Sequence, residues 1–406
     1  MAHNIRNNED FVFAMEPAWF QFGTRFGRKM TAYEALEAGN GLYGVDKFPT
    51  VVGNAKPCHY QNFSDIPVEL LAKGGTVLPI DLFYGEKSPE SVVWKQHGYN
   101  FVAYPSVPME KTFGTVRTDS GEFLGGVVTN RYRVIENYEI MGFFDPFLDK
   151  TDGIIDCCGV LGRGERVFMT AQLPDHITVK GDEITKYLVC MLNHDGKGSA
   201  KIFFTPIRVV CQNTLSAALR QTKRGETDQC VSIRHTKNAA DRIKEAHKIL
   251  GLQNEYWKNI GEAFEAMTNT RVSEQQFMKT VGLIYLGEVE IALLAQKGVT
   301  AETIADVAST TFSNTLEKML EYKEAGPGQE LFGGTAYNAY NAVTGYFSNV
   351  ANYNGEKKMD NFFGGQDAGR MQQAFEWFAT PQKANAVWAA KAAEGEKLLK
   401  AGVAAN

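Results

Sequence analysis

No run of about 18 apolar residues occurs anywhere in the chain, and the opening MAHNIRNNEDFVFAMEPAWF lacks the apolar core of a secretion signal. These absences predict a protein that neither spans a membrane nor is exported. Cysteine is sparse: Cys58, Cys157, Cys158, Cys190, Cys211 and Cys230 are too few for a disulfide scaffold and form no CxxC pair. They are expected to be reduced thiols in a cytoplasmic protein. No HxH or HExxH spacing is present either, so no metal is expected. There is no overall excess of positive charge, since 42 Lys and Arg face 47 Asp and Glu for a formal −5. A surface that coats nucleic acid or anionic membrane with its whole area is therefore excluded, and any polyanion site must be local.

Cofactor loops are missing as well. Gly196-Lys197-Gly198-Ser199 lacks the earlier glycine and the following Ser or Thr of a phosphate-binding loop, those positions being Met191 and Gly198. Gly159 to Gly164 superficially resembles a dinucleotide fingerprint, but it leads into strand-like Arg166-Val167-Phe168-Met169 instead of a helix. Both read as turns between strands, and no cofactor is expected.

What is present is 406 residues, 44% hydrophobic and 22% charged, enough for more than one core. Residues 1–120 read as an irregular N-terminal region packed on the core, with a short helix at Thr31 to Ala38. Residues 121–250 carry β-branched runs divided by glycine, asparagine and aspartate, with strands expected at Phe123 to Ile135, Ile154 to Leu161, Arg166 to Leu173, Lys186 to Leu192 and Lys201 to Cys211. Turns fit at Gly162 to Gly164, at Lys180-Gly181 and at His194 to Gly198. A helix is expected at Gln212 to Arg220, a strand at Cys230 to Ile233, and a helix through KNAADRIKEAHKIL. Residues 251–406 show apolar residues three or four apart almost throughout. The expected fold class is α+β: an antiparallel β-meander packed with helices, followed by a mostly helical C-terminal region.

Charge is unevenly placed. From Lys197 to Lys248 eleven cations face four acids, a local +7 that leaves −12 for the remainder. A basic segment on an acidic protein suits a groove for a phosphate backbone. The candidate contacts are Lys197, Lys201, Arg208, Arg220, Lys223, Arg224, Arg234 and Lys237. The alternative is a solvated helix face with ion pairs to the acidic helices. Thr205-Pro206 marks a strand edge or a bulge. Tyr337, Tyr340, Tyr346, Phe347 and Tyr353 supply either a stacking platform for bases or core packing, Tyr337 and Tyr340 sharing one helical face. A competing site combines Cys211 as nucleophile with His235, His194 and Asp195, against the commoner outcome that a cysteine ending an apolar run is a buried, inert thiol.

The succession RTDSGEFLGGVVTNRYRVIENYE, GVLGRGERVFMTAQLP, GDEITKYLVCMLNHDGKGSAKIFFTPIRVVCQNTL and IRHT resembles domain-of-unknown-function family 932, which includes the phage/plasmid-like proteins; GTAYNAYNAVTGYF resembles their C-terminal part. The resemblance runs from about Trp19 to beyond Arg370 and is most specific from Arg117 to Thr236. It implies a mobile element and its bacterial host as context, with no activity to carry over. The order of a β-meander followed by a cation-bearing helix is also similar to the core of phage single-strand annealing proteins of the Red-beta and RecT type, an analogy of fold alone. The resulting expectation is a cytoplasmic homo-oligomer that binds single-stranded nucleic acid, as an annealing or recombination accessory. The alternatives are the Cys/His enzyme and a protein-binding factor for host takeover or counter-defence.

Overall fold

The computed structural model describes residues 11–14, 23–53, 58–72, 75–104, 106–208, 230–250, 253–351 and 366–402. The chain forms two compact units, one comprising Gly44–Val134 with His194–Lys197, the other the described residues before, between and after those segments. The larger unit opens with β1 (Phe11–Phe13), β2 (Thr24–Arg25) and α1 (Ala32–Ala38). Thr31 caps α1 through a reciprocal bond pattern with Glu34.

The smaller unit follows, with β3 (Val45–Gly53), β4 (Cys58–Tyr60), α2 (Val68–Ala72), β5 (Thr76–Pro79), α3 (Ile80–Tyr84), α4 (Pro89–Gln96), β6 (Phe101–Tyr104), β7 (Ser106–Arg117) and β8 (Phe123–Thr129). It holds two three-stranded sheets, ordered β3-β7-β8 and β4-β6-β5. The region read as irregular thus carries regular pairing, with β4, β5 and β6 only three or four residues long. The strand expected from Phe123 ends at Thr129 and pairs with β7, so it stands outside the meander. The returning turn His194–Lys197 completes this unit: the Thr115 hydroxyl donates to the His194 carbonyl at 2.7 Å. Gly126, at φ +76°, lies where a Cβ would overlap the Asp195 carbonyl, so only glycine allows that approach.

The larger unit resumes with α5 (Asn137–Met141), α6 (Phe144–Thr151), β9 (Ile154–Leu161), β10 (Arg166–Val179), β11 (Asp182–Asn193), β12 (Ala200–Arg208), β13 (Cys230–Ile233) and α7 (Ala239–Leu250). Its sheet runs β13-β12-β11-β10-β9-β1-β2, antiparallel except for the parallel β1–β2 pair. The β10–β11 hairpin turns at Lys180 (φ 46°) and Gly181 (φ 88°), the two positive angles that a primed hairpin turn requires. Strand β9 is buried at nearly every position, which is why its sequence reads as an apolar run interrupted only by Asp156 instead of an alternation. Gly159 sits between its register partners Phe11 and Phe168, whose rings approach to 5.2 Å across it.

Helices follow: α8 (Gln253–Asn269), α9 (Glu274–Tyr285), α10 (Glu288–Lys297), α11 (Ala301–Val307), α12 (Thr310–Ala325), α13 (Ala336–Gly345), a π-helical turn at Tyr346–Val350, α14 (Gln366–Ala379) and α15 (Pro381–Lys400). The helical run read through residues 300–325 divides at Ser309, whose hydroxyl accepts the Phe312 N–H and starts α12 afresh. Helix α8 joins the sheet through Trp257 and Tyr256, which lie 5.5 and 6.0 Å from the Phe204 ring of β12. All ten residues of α13 are buried, which makes it the central helix of this region. Its Tyr337 hydroxyl donates to Asp182 Oδ2 at 2.7 Å, a buried bond that ties the helices to the first residue of β11. The architecture is α+β, with antiparallel sheets in the N-terminal half and helices after it.

Candidate nucleic-acid interface

Among the described residues, strand β13 stands at the end of the sheet and, at four residues, pairs only with Ala200–Phe203 of β12. Lys201 stands opposite Ser232, and Arg234 follows the last residue of β13. Lys237 follows in the turn before α7. Arg234 and Lys237 are exposed and Lys201 is half-buried. None of the three has a carboxylate within ion-pair distance among the described residues. The sheet therefore ends in positive charge that the described residues leave uncompensated.

The other candidate cations fall elsewhere. Arg208 closes β12, where its position pairs with Ile184 of β11. Pro206 pairs with Lys186 without a bulge and lies past the end of the β13 ladder, which makes its surroundings an edge among the described residues. Lys197 belongs to the smaller unit, where its backbone N–H donates to Asp195 Oδ1 at 2.9 Å. Arg220, Lys223 and Arg224, with the helix expected at Gln212 to Arg220, lie outside the described residues, as does Cys211.

The described components of the competing enzyme site are buried. His194 is fully buried and Asp195 and His235 nearly so. His194 and Asp195 belong to the smaller unit and His235 to the larger. Burial, with the Asp195 carboxylate adding to it, raises the pKa of the Tyr132 phenol above its ordinary value. Burial pushes the Cys158 thiol up to about 12 and moves Cys157 and Cys190 in the same direction, away from thiolate reactivity. No group of three His, Cys, Asp or Glu able to hold a metal occurs among the described residues. Tyr337, Tyr340 and Phe347 are core residues, with Tyr340 6.1 Å from Phe264 and 5.7 Å from Phe375, so these rings cannot stack on bases. Tyr346 is half-buried and Tyr353 lies outside the described residues.

One concavity of about 450 Å³ in the helical region was not anticipated from the sequence. Its walls come from α9, α10, α12, the π-helical turn and α14, so no contiguous motif announces it. The only local signal is Asp367 and Arg370, three apart on one helix.

The β13 edge and this concavity both fall within residues 125–388, which match the family described as Domain of unknown function (DUF932). The chain belongs to this family. The DUF932 match begins within β8 and ends within α15, a narrower span than the resemblance read from Trp19 onward. No curated protein and no solved structure matches the chain. Among the described residues, no helix of this DUF932 protein is long and apolar enough to cross a membrane.

Proposed function

We propose that this DUF932 chain binds single-stranded nucleic acid along the β13 edge, serving a phage or plasmid as an annealing or recombination accessory in the cytoplasm of the bacterial host and working as a homo-oligomer. The observation that carries the reading is the uncompensated charge of Lys201, Arg234 and Lys237 at the end of the sheet. Internal ion pairing, the main competitor for such cations, does not occupy them among the described residues. The edge also adjoins in sequence the Arg220, Lys223 and Arg224 cluster, which would extend a phosphate path.

The test is fluorescence anisotropy with labelled single-stranded and duplex oligonucleotides, comparing the native chain with a K201E/R234E/K237E variant whose circular dichroism is unchanged. The expected result is a single-strand preference and an affinity at least about tenfold weaker in the variant. Equal affinity in the two proteins, or no binding at low salt, removes the proposal.

A further inference from the structure

The concavity in the helical region has a composition that specifies a ligand. Its volume of about 450 Å³ lies within the roughly 300–1,000 Å³ of small-molecule sites. Arg370 of α14 holds its guanidinium 4.4 Å from the centre of the Tyr285 ring, and its Nη1 donates to Asp367 Oδ1 at 3.2 Å. A guanidinium offers five N–H donors in a planar fork, and this single bond engages one of them. Among the described residues Asp367 Oδ2 is buried and accepts nothing, so the pair is not the bidentate form that would use more of the arginine. Ring and carboxylate fix the arginine in place while part of its fork stays available to the cavity that it lines.

Two other walls add to this. Ser309 and Thr311 place the start of α12 at the cavity, where first-turn N–H groups have no intrahelical acceptor and favour negative charge. Glu290 of α10 also lines the cavity; its Oε2 accepts the Gly287 N–H at 2.8 Å. Phe312 and Tyr346 supply aromatic surface. With Arg370 matched by Asp367, the carboxylate of Glu290 leaves the site formally negative. A phosphate dianion would meet net repulsion there, whereas a ligand with one carboxylate and one ammonium finds a partner for each.

We propose that this cavity binds a free α-amino acid with an aromatic side chain, its carboxylate on Arg370 and the start of α12, its ammonium on Glu290, and its ring against Phe312 and Tyr346. The inference is independent of strand binding at the β13 edge.

Isothermal titration calorimetry of the full chain with phenylalanine, tyrosine and tryptophan tests it, alongside their N-acetyl and carboxamide derivatives, adenosine monophosphate and inorganic phosphate. Saturable binding of at least one amino acid is expected, weakened about tenfold or more by blocking either charged end. Glu290→Gln retains an acceptor for the Gly287 N–H but removes the charge, and should weaken binding of the free amino acid while leaving that of its N-acetyl form unchanged. Arg370→Gln should do the converse, sparing the carboxamide. The proposal fails if no amino acid binds at millimolar concentration, if blocked and free forms bind equally, or if adenosine monophosphate or phosphate binds more tightly than the amino acids.

Discussion

At the scale of single residues, counting charges along the chain found Lys201, Arg234 and Lys237, yet whether each was already paired depended on neighbours distant in sequence. The same holds for the thiols. Cys58 is exposed, whereas Cys157, Cys158 and Cys190 are buried, and burial raises their pKa and keeps them as thiols. A disulfide reagent at neutral pH should therefore label Cys58 in the native protein and reach the other three only on unfolding, as read by mass spectrometry of peptides after a timed pulse. Rapid labelling at Cys211 in the same experiment would revive the nucleophile reading. His59 offers a pH test in the smaller unit. Its ring stacks 3.7 Å from that of Trp94, its Nε2 lies 3.2 Å from the Tyr84 hydroxyl, and burial lowers its ionisation below the ordinary 6.5. A group depressed in the folded state supports stability above its unfolded value and loses that contribution as pH falls through it. Amide exchange in β4 and β6, corrected for intrinsic rate, should thus quicken as pH drops below about 6.5, and His59→Phe should remove that dependence. Unchanged protection across this range would contradict the account.

At the scale of elements, structure was legible wherever the signal was local. The β10–β11 turn followed from Lys180-Gly181, β9 and β13 from their bounded apolar runs, and α8 and α9 from apolar spacing. Pairing was not legible. Phe11–Phe13 enters the sheet beside β9 from more than 140 positions away, and no property of three apolar residues specifies that partner. Helix α13 shows the same limit from the other side: it carries Asn338, Asn341 and Thr344 yet is buried all round, and Asn338 bonds to partners outside the helix. Asn338 Nδ2 donates to the Lys323 carbonyl and to Gln329 Oε1, each at 3.0 Å, while Gln329 Nε2 donates to the Asn338 carbonyl at 3.4 Å. Asn338→Leu has nearly the right size but leaves the Gln329 amide oxygen and the Lys323 carbonyl without this donor, at about 1–3 kcal/mol for each group left unsatisfied. Urea denaturation should show a loss of that order. A variant as stable as the native protein would mean that water or rearrangement replaces the bonds.

At the scale of the whole molecule, the question is how a chain of formal charge −5 would hold a polyanion. Screening confines charge effects to about 10 Å at 0.1 M salt, so most of the acidic remainder would not oppose a strand at the β13 edge once salt is present. Counterion release is equally local, and its salt slope counts phosphate contacts at roughly −0.7 each for a single strand. If the three cations of the edge act alone, the slope of log affinity against log salt should be roughly −2. If every cation proposed between Lys201 and Lys237 takes part, Arg208, Arg220, Lys223 and Arg224 included, the slope should steepen to roughly −5. The K201E/R234E/K237E variant should flatten it by about 2 in either case. Neutralising Glu317, Glu321 and Glu324 on α12 should raise affinity slightly at low salt and leave the slope unchanged. A slope that shifts with those glutamates as much as with the edge cations would show that the chain responds through its net charge, and the edge would then have no claim to be the site.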